Sequence, residues 1–381
     1  MQTKRILLFC EYTSLNGGER SLLSVLPRIL QHSFDVAVAL PSEGELVEAI
    51  RSMGMVPIPF DFYDADGVRL SKAALRDSLD KVIQQAKPDL FHANSLMAGR
   101  LAGPVTSKLK IPSVAHLRDI IRLSRTALDD LTCHSQLVAV SDATRCWYVS
   151  LGVPADLISV VHNGVDLRTF VPRTRTGWLH GDLNLPSSSK IIGGIGQIGM
   201  RKGWDVLFRA MAKVVQTDAT CHLVVVGQRH SRKEEAVRFE EDLHRQAQQA
   251  PLRGHVHFLG TRVDVPELLA EFDVLVHPAR QEPLGRVLLE AAATGLPIVA
   301  TDVGGTTDIF PRELKAAVLV PPEDHSALAE SVLAVTQDRK WSEQLGQDAR
   351  KRAETCFSAD TAADNLMTIY QQLCTSNRSA R

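Results

Sequence analysis

The sequence predicts an α/β protein made of two doubly wound parallel sheets. Three observations carry that reading. Short apolar runs alternate with helical patterns from Arg5 onward, a polar, turn-rich stretch between Asp166 and Lys190 interrupts them, and the same alternation then restarts. At 381 residues the chain also suits two domains of ordinary size better than a single core. The expected organisation is a first domain over 1–170, a linker over 171–189 and a second domain over 190–359. A last helix near 360–381 is expected to pack back on the first domain.

In the first half, β-rich apolar runs predict strands at Arg5–Cys10, Val36–Leu40, Pro57–Phe60, Asp89–His92, Ser113–His116, Leu137–Val140 and Ile158–Val161. Helices through Ser21–Leu30, Glu43–Met53 and Ala73–Ala86 fall between them. In the second half, strands are predicted at Ile191–Ile195, His222–Val226, Val256–Leu259, Asp273–His277, Ile298–Ala300 and Leu319–Val320. The intervening helices run through Trp204–Val215, Glu234–Gln248 and Leu284–Thr294, the last stopped by Gly295 and Pro297. Near the end, Leu366, Ile369, Tyr370 and Leu373 mark one buried helical face. Strands alternating with crossover helices imply parallel pairing, with ligands held at the carboxyl ends of the strands, in a cleft where two such sheets face each other.

Composition excludes several classes. A formal net charge of -1 gives no global field for nucleic acid, and 44% hydrophobic with 23% charged residues is ordinary for a globular chain. No apolar run approaches the ~20 residues of a membrane span. Met1-Gln-Thr-Lys-Arg5 leads directly into a strand and not a signal peptide, which predicts a cytoplasmic protein. The 6 cysteines and 13 histidines show no metal-ligand spacing, so no metal site is predicted. His255 and His257 alternate on a strand and read as a solvent-facing edge.

Chemistry concentrates in Asp273–Thr307. A helix starting near Leu284 or Gly285, behind a strand, aims unpaired backbone N–H groups at the place where an anion binds. Glu282 precedes that helix and Glu290 lies inside it, so two carboxylates flank the anion position. A nucleoside diphosphate sugar has that shape, with hydroxyls on both sides of a phosphate. An ordinary αβ unit with a solvated Glu290 explains the spacing equally well. Behind the strand at Ile191, Gly194-Ile-Gly-Gln-Ile-Gly199 matches GxGxxG, which in a dinucleotide site requires an acidic ribose ligand or an arginine after the next strand. Only Arg229 meets that requirement, which keeps an NADP-dependent oxidoreductase as a minor alternative. Lys202 nearby suits a cation clamping phosphate oxygens.

In the first half, Gly17-Gly18 before a helix allows close backbone approach to a ligand, or simply a turn. His92 and His116 end strands, where side chains line a ligand site, although either one singly is more often satisfied by nearby backbone. Asn163-Gly164 is a turn signal requiring no function. Arg118–Arg125 mixes basic and apolar residues, as would a contact with a lipid-linked or anionic acceptor at the inner face of a membrane; an ordinary amphipathic helix explains it too.

Together these residues resemble the retaining nucleotide-sugar glycosyltransferases of family four, which have the B-type, double-Rossmann fold. The resemblance spans essentially the whole chain. It rests on Glu282-Pro-Leu-Gly-Arg-Val-Leu-Leu-Glu290 as the E-x7-E signature, on Asp302-Val-Gly-Gly305, on Asn163-Gly-Val-Asp166, and on Gly17-Gly18, Lys202-Gly203 and Val256-His-Phe-Leu-Gly260. It implies that Glu282 holds sugar hydroxyls, Glu290 the ribose, the amides of Arg286, Val287 and Leu288 behind Gly285 the diphosphate, and Lys202 its charge. Gly18 would admit the phosphates, Gly227 and Arg262 would meet the base, and His116 would lie near sugar and acceptor. Gln197 stands where the family often has arginine, leaving Arg201 to compensate.

The reaction thus implied is transfer of a hexose from a nucleoside diphosphate sugar to an acceptor hydroxyl, without a metal and with retention, the leaving phosphate taking the acceptor's proton. No cofactor is expected, since the nucleotide sugar is a substrate. A double displacement would need a carboxylate nucleophile, and Glu282 is the one candidate. The alternative of another class is a catalytically silent nucleotide-sugar-binding protein.

Overall fold

The computed structural model describes residues 3–32 and 34–376. Contacts divide the chain into two compact units, parted at Gly164/Val165 and again at Ser358/Ala359, so the last helix belongs to the first unit. That helix is Ala359–Ser376; residues 1–2 and 377–381, within the expected first and last segments, lie outside the described residues.

The sheet of the first unit comprises β1 (Lys4–Phe9), β2 (Phe34–Leu40), β3 (Ile58–Pro59), β4 (Leu90–Ala93), β5 (Ser113–Leu117), β6 (Gln136–Ala139) and β7 (Ile158–Val160), in the order β3-β2-β1-β4-β5-β6-β7. All its pairings are parallel. Because β1 alternates, Leu7 and Phe9 enter one core with Phe60, Phe62 and Phe91, while Ile6 and Leu8 enter another with Leu22 and Leu26. Helices cover both faces. The second core is closed by Leu366, Met367 and Tyr370 of the last helix, and Arg28 pins that helix through Asp364, with contacts of 3.0 and 2.9 Å.

The expected amphipathic helix over Arg118–Arg125 does not form: residues 118–124 are irregular, and the helix begins only at Arg125, capped by Ser124. Arg118 turns inward to hydrogen-bond Asn94 and Asn163, which removes it from any surface patch. No helix among the described residues is long and apolar enough to cross a membrane.

In the second unit β8 (Lys190–Ile195), β9 (Cys221–Val226), β10 (Val256–Gly260), β11 (Val274–His277), β12 (Ile298–Thr301) and β13 (Val318–Val320) form another parallel sheet, in the order β10-β9-β8-β11-β12-β13. Residues 171–189, expected as a linker, are tied into this unit. They include the helix Trp178–Asp182; the Thr176 and Gly177 amides donate to the buried Glu271 carboxylate at 2.8 and 3.0 Å, and Arg175 pairs with Asp273 at 2.7 Å. Polar composition suggested a free connector, but those polar groups are spent on anchoring.

The histidines at the β9/β10 edge are not simply solvent-facing. The His222 ring lies 4.8 Å from that of His255 and 5.4 Å from that of His257, and His222 is buried. Among the described residues no group of three ligands is placed to hold a metal ion. Burial, followed by the two neighbouring rings, pushes the His222 pKa down to about 4. A buried base with a depressed pKa leaves stability intact above its unfolded value near 6.5 and removes it as pH falls toward 4, because the unfolded chain takes up the proton first. His222→Gln should therefore flatten the loss of urea resistance between pH 7 and 5, by about 1 kcal/mol. Identical pH dependence in variant and parent would contradict this.

Candidate active site

In both sheets the strand order reverses between the first and fourth strands, β1/β4 in the first unit and β8/β11 in the second, and the carboxyl ends of those parallel strands are where an open α/β sheet binds ligands. Each unit gathers its own polar cluster there.

In the second unit Lys202 lies in a 3-10 turn (Met200–Lys202) after β8, and Glu282 follows β11. Two close approaches hold them together. A Cβ on Gly203, at φ +68°, would run into the Pro278 carbonyl, and one on Gly304, at φ +53°, into the carbonyl of Glu282. The Gly305 amide then donates to that same Glu282 carbonyl at 2.9 Å. Gly304→Ala should therefore displace the Glu282 loop and lower stability by about 2 kcal/mol or more, read as a fall in melting temperature. An unchanged melting curve would show that the loop adapts.

So placed, Lys202 Nζ donates to Glu282 Oε2 at 2.5 Å, and His277 Nε2 meets the same oxygen at 2.8 Å. Glu282 is 5% exposed. Burial alone would raise its pKa, but the Lys202 charge and the His277 hydrogen bond, with Arg201 further off, outweigh burial and hold the carboxyl well below the usual carboxylate range. Burial and the Lys202 charge keep His277 neutral. With an ionised carboxylate as acceptor, His277 Nε2 carries the proton and donates. Sequence reasoning passed over His277, although it ends a strand, the position expected of His92 and His116, which in the structure lie one residue before the ends of theirs.

The helix behind Glu282 is Arg286–Ala293, two residues later than the apolar spacing suggests, because Gly285 at φ +104° turns the chain first. Of the three amides expected to be open, Leu288 already donates to the Gly285 carbonyl at 3.1 Å, whereas those of Arg286 and Val287 make no main-chain hydrogen bond among the described residues. Glu290 is not a freely solvated glutamate: Arg286 bridges to it at 2.5 Å, one turn earlier on the same face. Arg201 is exposed and caps the Gln281 carbonyl at 2.9 Å, while Gln197 is exposed and offers its own carbonyl to Trp204. Gly227 packs on the Gly196 carbonyl, and Arg262 pairs with Asp264 and lies 5.8 Å over the Trp178 ring.

The dinucleotide alternative loses both its supports. The helix behind GxGxxG opens only at Trp204, after the 3-10 turn, so its start does not abut the glycines. Arg229, the candidate for a 2′-phosphate, is held by Glu240 at 2.9 Å and by the Ser231 carbonyl.

In the first unit His116 is the penultimate residue of β5, and its Nδ1 lies 2.7 Å from His92 Nε2. Arg118 reaches the Asn94 carbonyl, the Asn94 side chain and Asn163 Oδ1, each at 2.8 Å. Ser21 Oγ donates to the same Asn163 oxygen at 2.7 Å, so Asn163 is an anchor and not only a turn residue. Gly17 opens the helix Gly17–Gln31, and the bare Cα of Gly18 admits the Arg118 side chain, whose Cδ a Cβ would meet at 3.0 Å. Ser21, His92, His116, Arg118 and Asn163 line a small pocket. The signal for Arg118 and Asn94 lay in their place just after strands, which drew attention only to the histidines.

Comparison with known proteins bears on both units. Residues 15–169 match the model of a family described as Glycosyltransferase Family 4, and residues 179–352 that of Glycosyl transferases group 1. The chain is 28% identical over 253 residues to spore coat protein SA of Bacillus subtilis, a match covering 62% of this chain and 65% of that protein, so just under two thirds of the relative's length is spanned. It is 26% identical over 362 residues to a D-inositol 3-phosphate glycosyltransferase of Corynebacterium efficiens, covering 88% and 84% of the two chains. The crystal structure of HepE from Anabaena in complex with UDP and glucose superimposes with a TM-score of 0.84 at 23% identity, covering 97% of this chain and 99% of that one. At that identity the likeness is one of fold: two parallel-sheet, Rossmann-like domains.

Proposed function

We propose, since this chain belongs to the family-four (group 1) glycosyltransferases, that it transfers a hexose from a nucleoside diphosphate sugar to an acceptor hydroxyl without a metal ion. The observation that carries this reading is the second unit's cluster: an ionised, buried Glu282 held by Lys202 and His277, beside a helix start where the Arg286 and Val287 amides have no main-chain acceptor among the described residues. The Arg286 and Val287 amides and Lys202 take the diphosphate, and stabilise the charge that grows on it as the sugar–phosphate bond breaks. Glu282 takes sugar hydroxyls and Glu290 the ribose. UDP and glucose, which HepE binds, are the first ligands to try.

In the free protein Lys202 and Glu282 neutralise each other, and Arg286 and Glu290 do likewise. A diphosphate therefore competes for both cations, and the released carboxylates turn to hydroxyls. The depressed pKa of Glu282 makes it a weak nucleophile, which favours a positioning role and a leaving phosphate that takes the acceptor's proton, with retention at the anomeric carbon. The acceptor side is assigned to the first unit, with His116 as its polar group.

The test incubates the full chain with a panel of nucleoside diphosphate sugars and candidate acceptors, and follows diphosphate release. Release with one base and sugar, dependent on acceptor, is the expected result. Binding without release with any acceptor would instead identify a silent nucleotide-sugar-binding protein, and protection against heat by NADPH but by neither UDP nor GDP would overturn the donor assignment.

A further inference from the structure

Behind His116 runs a chain of buried hydrogen bonds that none of the proposed chemistry uses. Tyr370, on the last helix, places its Oη 2.5 Å from His92 Nδ1, and His92 Nε2 lies 2.7 Å from His116 Nδ1. His92 and Tyr370 have no exposed surface, and His116 is 4% exposed. Burial first, and the Arg118 charge second, keep both imidazoles neutral, while burial pushes the Tyr370 phenol up, so that it retains its proton. Each imidazole therefore has one N–H and one bare nitrogen, and the direction of the chain decides which is which.

The phenol sets the direction. Among the described residues His92 Nδ1 is its one hydrogen-bonding partner. If the phenol accepted from an Nδ1–H, its own O–H would be buried with no acceptor, which is the costlier way to fill the contact. The phenol therefore donates to His92 Nδ1, His92 Nε2–H donates to His116 Nδ1, and the His116 proton sits on Nε2. That nitrogen makes no hydrogen bond among the described residues, and His116 lines the pocket with Arg118, Ser21 and Asn163.

We propose that Tyr370 is a positioning residue: acting through His92, it fixes His116 as the neutral Nε2–H tautomer, so that His116 offers a ligand oxygen a hydrogen-bond donor and cannot accept its proton. The oxygen recognised is that of a hydroxyl or a phosphate, and His116 is excluded as the base for the acceptor hydroxyl. Its effect on transfer rests on the function proposed above; the tautomer itself does not.

The test is two-bond 15N–1H NMR of the full chain labelled at histidine, with the His116 signals assigned by their absence in His116→Gln. In the parent, His116 should show a protonated Nε2 and a bare Nδ1. Tyr370→Phe removes one oxygen from a packed ring; it should shift His116 toward the Nδ1–H form and lower kcat about 10-fold, with donor KM changed by less than about twofold. His92→Gln, whose amide can still donate to Nδ1, should keep the Nε2–H form and more of kcat than His92→Leu. A parent His116 protonated on Nδ1, or a Tyr370→Phe tautomer identical to the parent's, would overturn the proposal, as would an unchanged kcat in a variant whose tautomer had shifted. Should no donor be turned over at all, the parent and Tyr370→Phe spectra still decide the relay, and only the transferase reading fails.

Discussion

Glu282→Ala lowers transfer by about 10³-fold or more while leaving the fold intact, and Glu282→Gln does nearly as much damage. Glu282 is buried and its charge is fully committed, so its contribution depends on where Lys202 and His277 point it. A loss of that size corresponds to about 4 kcal/mol of transition-state stabilisation, within the range for one preorganised charged contact in a water-poor site. The fold survives because the pair is a mixed asset: desolvating Glu282 opposes what Lys202 contributes, so removing the carboxylate also removes its burial penalty. Lys202 keeps 15% of its side-chain surface open to water and is not stranded. Initial rates with the best donor, alongside melting curves, check this. Full activity in Glu282→Ala would sink the assignment, and collapse of the fold in both variants would make Glu282 a structural residue.

Lys202→Met removes the cation expected to meet the leaving diphosphate and should lower kcat/KM by about 10²- to 10³-fold. Its second effect separates it from a simple binding defect. Lys202 is the strongest influence holding Glu282 ionised, and it also helps keep His277 neutral. Without it the Glu282 pKa rises and that of His277 rises with it, so residual activity should fall off on the acid side at a higher pH than in the parent. Glu282 has a depressed native pKa, which contributes stability above its unfolded value near 4.3 and loses it as pH falls; the variant loses part of that contribution at neutral pH. Because the two residues act on each other, the double variant should be much less impaired than the product of the single losses. Multiplicative losses would show that Lys202 and Glu282 act independently.

Much of the fold was legible because parallel strands buried on both faces read as continuous apolar runs, as in Leu223-Val-Val-Val226 and Ile298-Val-Ala300. The candidate-site positions of Lys202 and Glu282, which the structure pairs, were legible because the spacing of each from its strand end is local. What escaped depends on long-range partners. Tyr370 reads only as a core position on a helical face, and nothing near it in sequence shows the histidine it meets, 278 residues away. Asn163 looks like a turn until Ser21 and Arg118 converge on its side chain. The stretch 118–124 carries the composition of an amphipathic helix, yet Arg118 is drawn inward by Asn94, and Ser124 delays the helix by capping it. Polar residues of 171–189 suggested a free linker because the sequence does not reveal that Glu271 gathers them.

The most direct test of the donor cradle is calorimetric titration of UDP and GDP into the full chain and into Lys202→Met and Glu290→Ala. One of the two nucleotides should bind the parent in the micromolar range, at about -7 to -8 kcal/mol, and about tenfold or more weakly in each variant. Binding of neither nucleotide, or equal binding by parent and both variants, would place the diphosphate elsewhere and contradict the role given to Lys202 and the helix behind Glu282.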